Sequence, residues 1–375
     1  MATTVPETLA TILARQPRYL ADFFDVTLVT SPGQELKKVA AREEVTVMAV
    51  PMVRGISLIK DITSVISMCQ SIRRVKPSII HSYTPKAGLV CMLAGWICGV
   101  PIRIHTFTGL IFPTELGFRR RLLVWTDRIL CACATHLVPE GEGVKRDLER
   151  YRITKKPLNV IGYGNIAGVD ASFFAPTALG VAPSATCLRN RLGLKDDDFV
   201  FCFVGRLNKD KGLSELLAAF KTLPQTANLL LVGKIDVTSP LLQRDIEIIR
   251  SHPRIFELGF VDDVRPALAV SNVLVLPSYR EGFPNVLLQA GAMELPAIAT
   301  DINGCNEIIE KNFNGWLVPA REVKPLADVM LYALEASRTL LREMGKRARI
   351  RVTERFCQKD HWKRMVLFYR NVLGE

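Results

Sequence analysis

Two series of short, apolar, β-branched runs, with helix-length amphipathic stretches between many of them, constrain this chain more than any other feature. In the first half they are DVTLVT (25–30), VTVMAV (45–50), SIIHSY (78–83), IRIHTF (102–107) and THLVPE (135–140). In the second half they are FVFCFVGR (199–206), ANLLLVGK (227–234), RIFELGF (254–260), SNVLVLPS (271–278) and LPAIATD (295–301). Such runs suit strands covered on both faces, and intervening stretches such as 58–75 are long enough for helical crossovers. Each half therefore reads as a parallel, doubly wound α/β sheet. A chain of 375 residues exceeds one ordinary core, so two domains are expected. The pattern breaks at IGYGNIAGVDASFFAP (161–176), which sets the expected boundary: 1–165 as the first domain and 166–357 as the second, with a cleft between them. The last stretch, DHWKRMVLFYRNVL (360–373), reads as one amphipathic helix, and 358–375 is expected to pack back on the first domain.

Composition and charge exclude several classes. Hydrophobic residues at 49% and charged residues at 23% fit a globular chain. The longest apolar stretch, AGLVCMLAGWICGV (87–100), is too short to span a bilayer and is headed by Lys86, so a buried helix is the better reading. The N-terminal MATTVPETLATILARQ lacks the basic leader and cleavage site of a secreted protein. Nine cysteines, with Cys69, Cys91, Cys98 and Cys202 inside apolar runs, suit a reducing cytoplasm; Cys131 and Cys133 have no second pair at zinc-site spacing, so no metal site is expected. Residues 1–160 carry 22 Lys and Arg against 13 Asp and Glu, which is +9 of the chain's +12. The densest points are Arg119–Arg121, flanked by Phe118, Leu122, Leu123 and Trp125, and the 145–156 segment. Cations mixed with apolar side chains point to an anionic membrane surface, against the plainer alternative of a solvated face. No nucleic-acid-binding module accompanies the charge.

Two loops of the second half carry the chemistry. In FVGRLNKDKGLSELLAAF a strand ends, Gly205 opens a turn, and Arg206 and Lys211 precede a helix beginning near Gly212. Backbone amides and two cations at a helix start are the parts of a diphosphate cradle, although alone they also fit a solvated loop. SNVLVLPSYREGFPNVLLQAGAM repeats strand, loop and helix, with Pro284 suited to the first helical turn and the amides of Asn285, Val286 and Leu287 expected at the open helix end. Glu281 precedes that end and suits neutral hydroxyls better than phosphate. A sugar nucleotide offers both partners together.

The order of GRLNKDKG, LLLVGK, LGFVDDV, VLPSYREGFPNVLLQAGAMELP and TDINGCNEII closely resembles the donor domain of family-four (group 1) retaining glycosyltransferases of the GT-B fold. The first-half IIHSYTPKAGL and IRIHTFTGL look like the bacterial polysaccharide branch of that family. The resemblance implies two Rossmann-like domains facing a central cleft, the first binding acceptor and the second a nucleotide-sugar donor. It implies that Arg206 and Lys211 neutralise the donor diphosphate and that Glu281, with Gly282, Phe283, Asn285 and Val286 beside it, holds the sugar. The base would lie against Gly259, Phe260 and Val261, and His105 would meet the donor sugar, with His81 a weaker candidate. The second acid of the family's E-x7-E element falls on Gln289, which keeps one acceptor oxygen for the ribose. Only MATTVPE precedes the first helix, so the family's first strand is expected to be short or absent.

These readings converge on a retaining hexosyltransferase. It would move a hexose or N-acetylhexosamine from a UDP-sugar to a lipid-linked, undecaprenyl-diphosphate-type glycan in capsule, O-antigen or exopolysaccharide synthesis. It would need no metal or other cofactor and would work peripherally on the cytoplasmic membrane face. The sequence indicates no oligomeric state. A UDP-N-acetylglucosamine 2-epimerase shares the fold and nucleotide but would turn over UDP-sugar without an acceptor. A non-catalytic sugar-nucleotide-binding protein would hold UDP without transfer.

Overall fold

The computed structural model describes every residue except Arg54, Ile56, Asp196, Val237 and Thr238, and only the backbone of Leu58. The chain divides into two compact units: Met1–Gly168 with Gln358–Glu375, and Val169–Cys357.

The first unit has strands β1 (Thr27–Thr30), β2 (Thr46–Ala49), β3 (Ile79–Ser82), β4 (Ile102–Phe107) and β5 (His136–Pro139). All pair in parallel, in the orders β1-β2 and β3-β4-β5. Ala2 joins the two pieces through parallel bridges to Val29 of β1 and Ser82 of β3. One face is covered by the helices Leu58–Val75, Pro85–Ile97 and Gly117–Cys133, which bury Met68, Ile72, Val90, Cys91 and Leu130 in one cluster. Against the other face, Met365, Val366 and Tyr369 of the helix Gln358–Leu373 pack with Leu20, Ile104 and Val138.

The second unit is a six-stranded parallel sheet of β6 (Phe199–Val204), β7 (Ala227–Val232), β8 (Ile255–Gly259), β9 (Val273–Leu276), β10 (Ala297–Thr300) and β11 (Gly315–Val318). Its order is β11-β10-β9-β6-β7-β8. β11 escapes a reading by apolar runs, because GWLV is four residues long and opens on glycine. Every residue of β7, β9 and β10 is buried, as a sheet covered by helices on both faces requires. The chain leaves β6 toward β7 on one side and returns to start β9 on the other. Such a reversal opens a crevice outside the carboxyl ends of the two central strands, where doubly wound sheets bind ligands.

Candidate functional site

The loops that follow β6 and β9 meet at that reversal point, and they are the two that the sequence singles out. Gly205 follows β6, and a Cβ at Gly233, the residue after β7, would collide with the Gly205 carbonyl, so only glycine lets the two loops touch. Asn208 then caps the short turn Lys209–Lys211, its Oδ1 accepting from the Lys211 N–H at 3.0 Å. The turn is tied to the second loop twice: the Tyr279 N–H donates to the Asp210 carbonyl at 2.9 Å, and Arg280 pairs with Asp210 at 2.8 Å. These ties bring Lys211 to Glu281, with Nζ 2.5 Å from Oε1 and side chains 21% and 12% exposed. Arg206, 62% exposed, reaches Asp236 at 2.6 Å, and Asp236 also accepts from Asn208 at 3.1 Å. Both expected phosphate ligands are therefore held by carboxylates of the protein itself.

Around this pair the site is well braced. The Tyr279 hydroxyl donates to both oxygens of Glu215, at 2.7 and 2.8 Å, and burial with that carboxylate pushes the phenol pKa up. The Arg321 guanidinium lies 4.6 Å from the Tyr279 ring centre. Cys305 is fully buried near the Lys211–Glu281 pair; burial first, and Glu281 next, hold its thiol well above the usual range, so it stays protonated. Asp210, Glu215, Asp236, Tyr279 and Arg280 carry no sequence signal of their own. Their roles come from loops about 30 or 70 residues apart.

The helix Asn285–Ala292 begins one residue later than expected, because Pro284 keeps an extended ψ of 107° and serves as the cap. The Leu287 N–H turns back to the Pro284 carbonyl at 3.0 Å, so it is not one of the open donors assigned to that end. Gly282 and Phe283 are buried, Phe283 packing on Phe356 with ring centres 5.3 Å apart, while Val286 is half-buried. Gln289 is half-buried rather than enclosed, and its side-chain amide has no hydrogen-bond partner among the described residues. Gly259 closes β8 with φ 67°. Phe260 then stands 58% exposed with Lys234 5.1 Å above its ring, and Val261 packs on the core edge.

His105 is different. It is the fourth residue of β4, only 1% exposed, and its Nδ1 shares a 2.9 Å hydrogen bond with Ser82 Oγ. A Cβ at Gly88 would strike its ring, so the imidazole is sealed between sheet and helix. Burial lowers its pKa to about 3 and keeps it neutral. Strand-end spacing does not reveal that the ring is packed into the core in this way. His81 is equally enclosed, bonded to Tyr369 and Thr106 at 2.6 and 2.7 Å. Among the described residues, no three His, Cys, Asp or Glu side chains group as a metal set.

The basic regions also sort themselves. Arg119 and Arg121 are exposed on the helix Gly117–Cys133, whereas Arg120 is half-buried over the Tyr151 ring. In the 145–156 segment, Lys156 is spent on the end of the same helix, its Nζ donating to the carbonyls of Cys131, Ala132 and Ala134.

Comparison with known proteins agrees with this geometry. The model for glycosyl transferases group 1 matches residues 198–336, and that for the glycosyl transferase 4-like domain matches residues 8–164. The capsular polysaccharide biosynthesis glycosyltransferase CapM of Staphylococcus aureus is 30% identical over 355 residues, 94% of this chain and 91% of that protein. An Escherichia coli UDP-Gal:alpha-D-GlcNAc-diphosphoundecaprenol alpha-1,3-galactosyltransferase is 28% identical over 343 residues, 89% of this chain and 85% of its own length. Among solved structures, Anabaena HepE in complex with UDP superimposes with a TM-score of 0.80 at 17% identity, over 99% of this chain and 98% of that one. With both halves matched and a relative aligned along almost its whole length, this chain belongs to the group 1, family-four-like glycosyltransferases, and its two parallel-sheet units have the GT-B fold.

Proposed function

We propose that this transferase moves a hexose or N-acetylhexosamine from a UDP-sugar, with retention at the anomeric carbon, onto a lipid-linked glycan of the undecaprenyl-diphosphate type during surface polysaccharide synthesis. The observation that carries the reading is the pairing of Arg206 and Lys211 with acidic residues at the reversal point of the second sheet. Arg206, being exposed, exchanges Asp236 for the donor diphosphate. Lys211 shares its ammonium protons between the diphosphate and Glu281, whose free oxygen takes sugar hydroxyls. Gln289 accepts from the ribose, and the base lies along Gly259, Phe260 and Val261. Gly205, Gly282, Phe283, Asn285 and Val286 shape the walls.

The acceptor hydroxyl attacks the anomeric carbon on the face the phosphate leaves. The new C–O bond forms as the old one breaks, its electron pair departs on the UDP oxygen, and the hydroxyl proton passes to that oxygen. Arg206 and Lys211 stabilise the charge developing there, so positioning and electrostatics carry the catalysis and no metal is assigned. The donor is supported by the E. coli relative and by the UDP and UDP-glucose complexes of HepE; the lipid-linked acceptor and polysaccharide setting are supported by the E. coli and S. aureus relatives.

A peripheral seat on the cytoplasmic membrane face is part of the same reading. Among the described residues no helix is long and apolar enough to cross a membrane. The helices Leu58–Val75, Pro85–Ile97 and Gly117–Cys133 pack side by side, and they expose Ile59, Ile62 and Ile66, then Trp96, then Phe118 and Trp125. Apolar side chains among Lys60, Arg119, Arg121 and Arg128 suit anionic headgroups. The test is a panel of UDP-sugars offered with undecaprenyl-diphosphate-linked N-acetylhexosamine, read by the mass of the extended lipid. Consumption of UDP-sugar without any extended lipid would remove the transfer reading.

A further inference from the structure

The first sheet also reverses direction. Ala2 stands between β1 and β3; the chain runs from it to β1 and β2 on one side, then to β3, β4 and β5 on the other. Beyond the carboxyl ends at this point, where doubly wound sheets bind ligands, three loops meet. The Thr4 N–H donates to Thr84 Oγ1 at 2.9 Å, and the Ala87 N–H donates to Thr4 Oγ1 at 3.1 Å. The Thr108 hydroxyl, just past β4, donates to the Tyr83 carbonyl at 2.9 Å. Thr4 and Thr84 hydroxyls lie 2.6 Å apart, so one of their two protons joins them. The other has no acceptor among the described residues.

Two residues past Thr84 comes Lys86, whose Nζ donates to both carboxylate oxygens of Asp61, at 2.6 and 2.7 Å. Asp61 lies in the first turn of the helix Leu58–Val75 and Lys86 in that of Pro85–Ile97, and their side chains are 17% and 12% exposed. An ammonium carries three N–H donors, and the third has no acceptor among the described residues. A pair this enclosed adds little stability over apolar residues of the same size, because desolvation offsets the attraction. Its setting repeats that of Lys211, which is held by Glu281 at the reversal point of the second sheet. On either side of Asp61 the helix exposes Ile59 and Ile62, so the lysine stands at the edge of an apolar surface.

We propose that Lys86, with the spare hydroxyl proton of the Thr4–Thr84 pair, binds the diphosphate of the lipid-linked acceptor, whose apolar chain then runs along the surface that exposes Ile59 and Ile62. Two unassigned donors, one of them cationic, suit an anion. Asp61 holds the ammonium until the diphosphate arrives and shares it afterwards. The inference rests on the transfer reading above for the identity of the lipid. A bilayer phospholipid offers similar chemistry, a phosphate beside an apolar chain. The recessed position favours the substrate, because cations that meet headgroups stand out from the surface, as Arg119 does at 70% exposure.

The test titrates geranyl diphosphate, with UDP at saturation to fill the second unit's cradle, into wild type, Lys86→Met, Asp61→Asn and the double variant. Lys86→Met is expected to weaken geranyl diphosphate at least about tenfold, as loss of a charged hydrogen bond does. Asp61→Asn should leave its affinity level or raise it. The double variant, in which neither charge is left alone, should bind as weakly as Lys86→Met and keeps the test open if that variant misfolds. In transfer, Lys86→Met should raise KM about tenfold for the diphosphate-linked acceptor and leave it unchanged for the same sugar on a neutral alkyl chain. A pair that only ties two helices would make both single variants weaken binding alike. That result, no binding by wild type, or equal affinity in wild type and the double variant would each overturn the proposal. Weaker binding of Lys86→Met to phosphatidylglycerol vesicles, with geranyl diphosphate affinity unchanged, would overturn it in favour of the bilayer. If wild type extends no lipid the transfer reading fails, and the titration still decides Lys86.

Discussion

Replacing Glu281 by alanine should leave UDP binding intact or strengthen it, while replacing Lys211 should weaken it. In the free protein the Lys211 ammonium already has an anionic partner 2.5 Å away, so the diphosphate must share Lys211 with Glu281, against that carboxylate's competing charge. The pair is neither a surface pair, worth about 0.2–1 kcal/mol, nor a fully buried one, whose disruption costs about 3–5 kcal/mol. With side chains 21% and 12% exposed it lies between, and about 2 kcal/mol is a fair figure for leaving one partner alone. Lys211→Ala removes a charged hydrogen bond to the diphosphate and leaves the Glu281 carboxylate facing it. UDP affinity should fall by about ten- to a hundredfold. Glu281→Ala frees the ammonium and removes the competing anion, so affinity should stay level or rise by up to about tenfold while transfer collapses. The double variant should bind UDP better than Lys211→Ala alone. Titration calorimetry with UDP, beside melting curves to verify folding, measures all four proteins. If Glu281→Ala weakens UDP as much as Lys211→Ala does, the competition is absent and the roles are wrongly divided.

Gln289→Ala should cost UDP about fivefold in affinity, a loss of about 1 kcal/mol for one neutral hydrogen bond, with little change in stability because the amide has no internal partner; unchanged UDP affinity would remove it from the ribose. Arg119→Ala with Arg121→Ala should weaken binding to anionic liposomes by up to about 2 kcal/mol and leave UDP affinity alone, whereas Arg120→Ala should act mainly on stability through Tyr151. Equal co-sedimentation of the double variant and wild type at low salt would leave the arginines a solvated face. Acid should unfold the first unit before the second, since His81, His105 and His361 are all buried there with lowered pKa values. The unfolded chain binds those protons near pH 6.5, while the folded one protonates His105 only near about 3 and His361 only near about 4, so stability is lost as pH falls below 6.5, by about 2 kcal/mol for each of these two at pH 5, and burial of His81 acts in the same direction. Hydrogen exchange between pH 6.5 and 4.5 decides it, and earlier loss of protection in Val169–Cys357 would contradict the assignment.

Local chemistry made much of this protein legible from residues alone. Ten apolar runs became ten strands; β7, β9 and β10 are apolar throughout because they are covered on both faces, while the edge strands β2 and β8 are only partly buried. The glycine turn at Gly205, the cations at Arg206 and Lys211, and the acid at Glu281 could be picked out because their loops sit between a strand and a helix. What no run of residues encodes is which loops meet. The Lys211–Glu281 and Arg206–Asp236 pairs exist because β6 lies between β7 and β9, an order set by long-range packing. The same reason decides surroundings that spacing leaves open: the helix containing Gly88 packs on the His105 ring, and Arg120, alone of its arginine triplet, lies over Tyr151. A side chain's type and period follow from its neighbours in sequence. Its exposure and its ion-pair partner depend on elements tens of residues away, and only the folded chain brings those together.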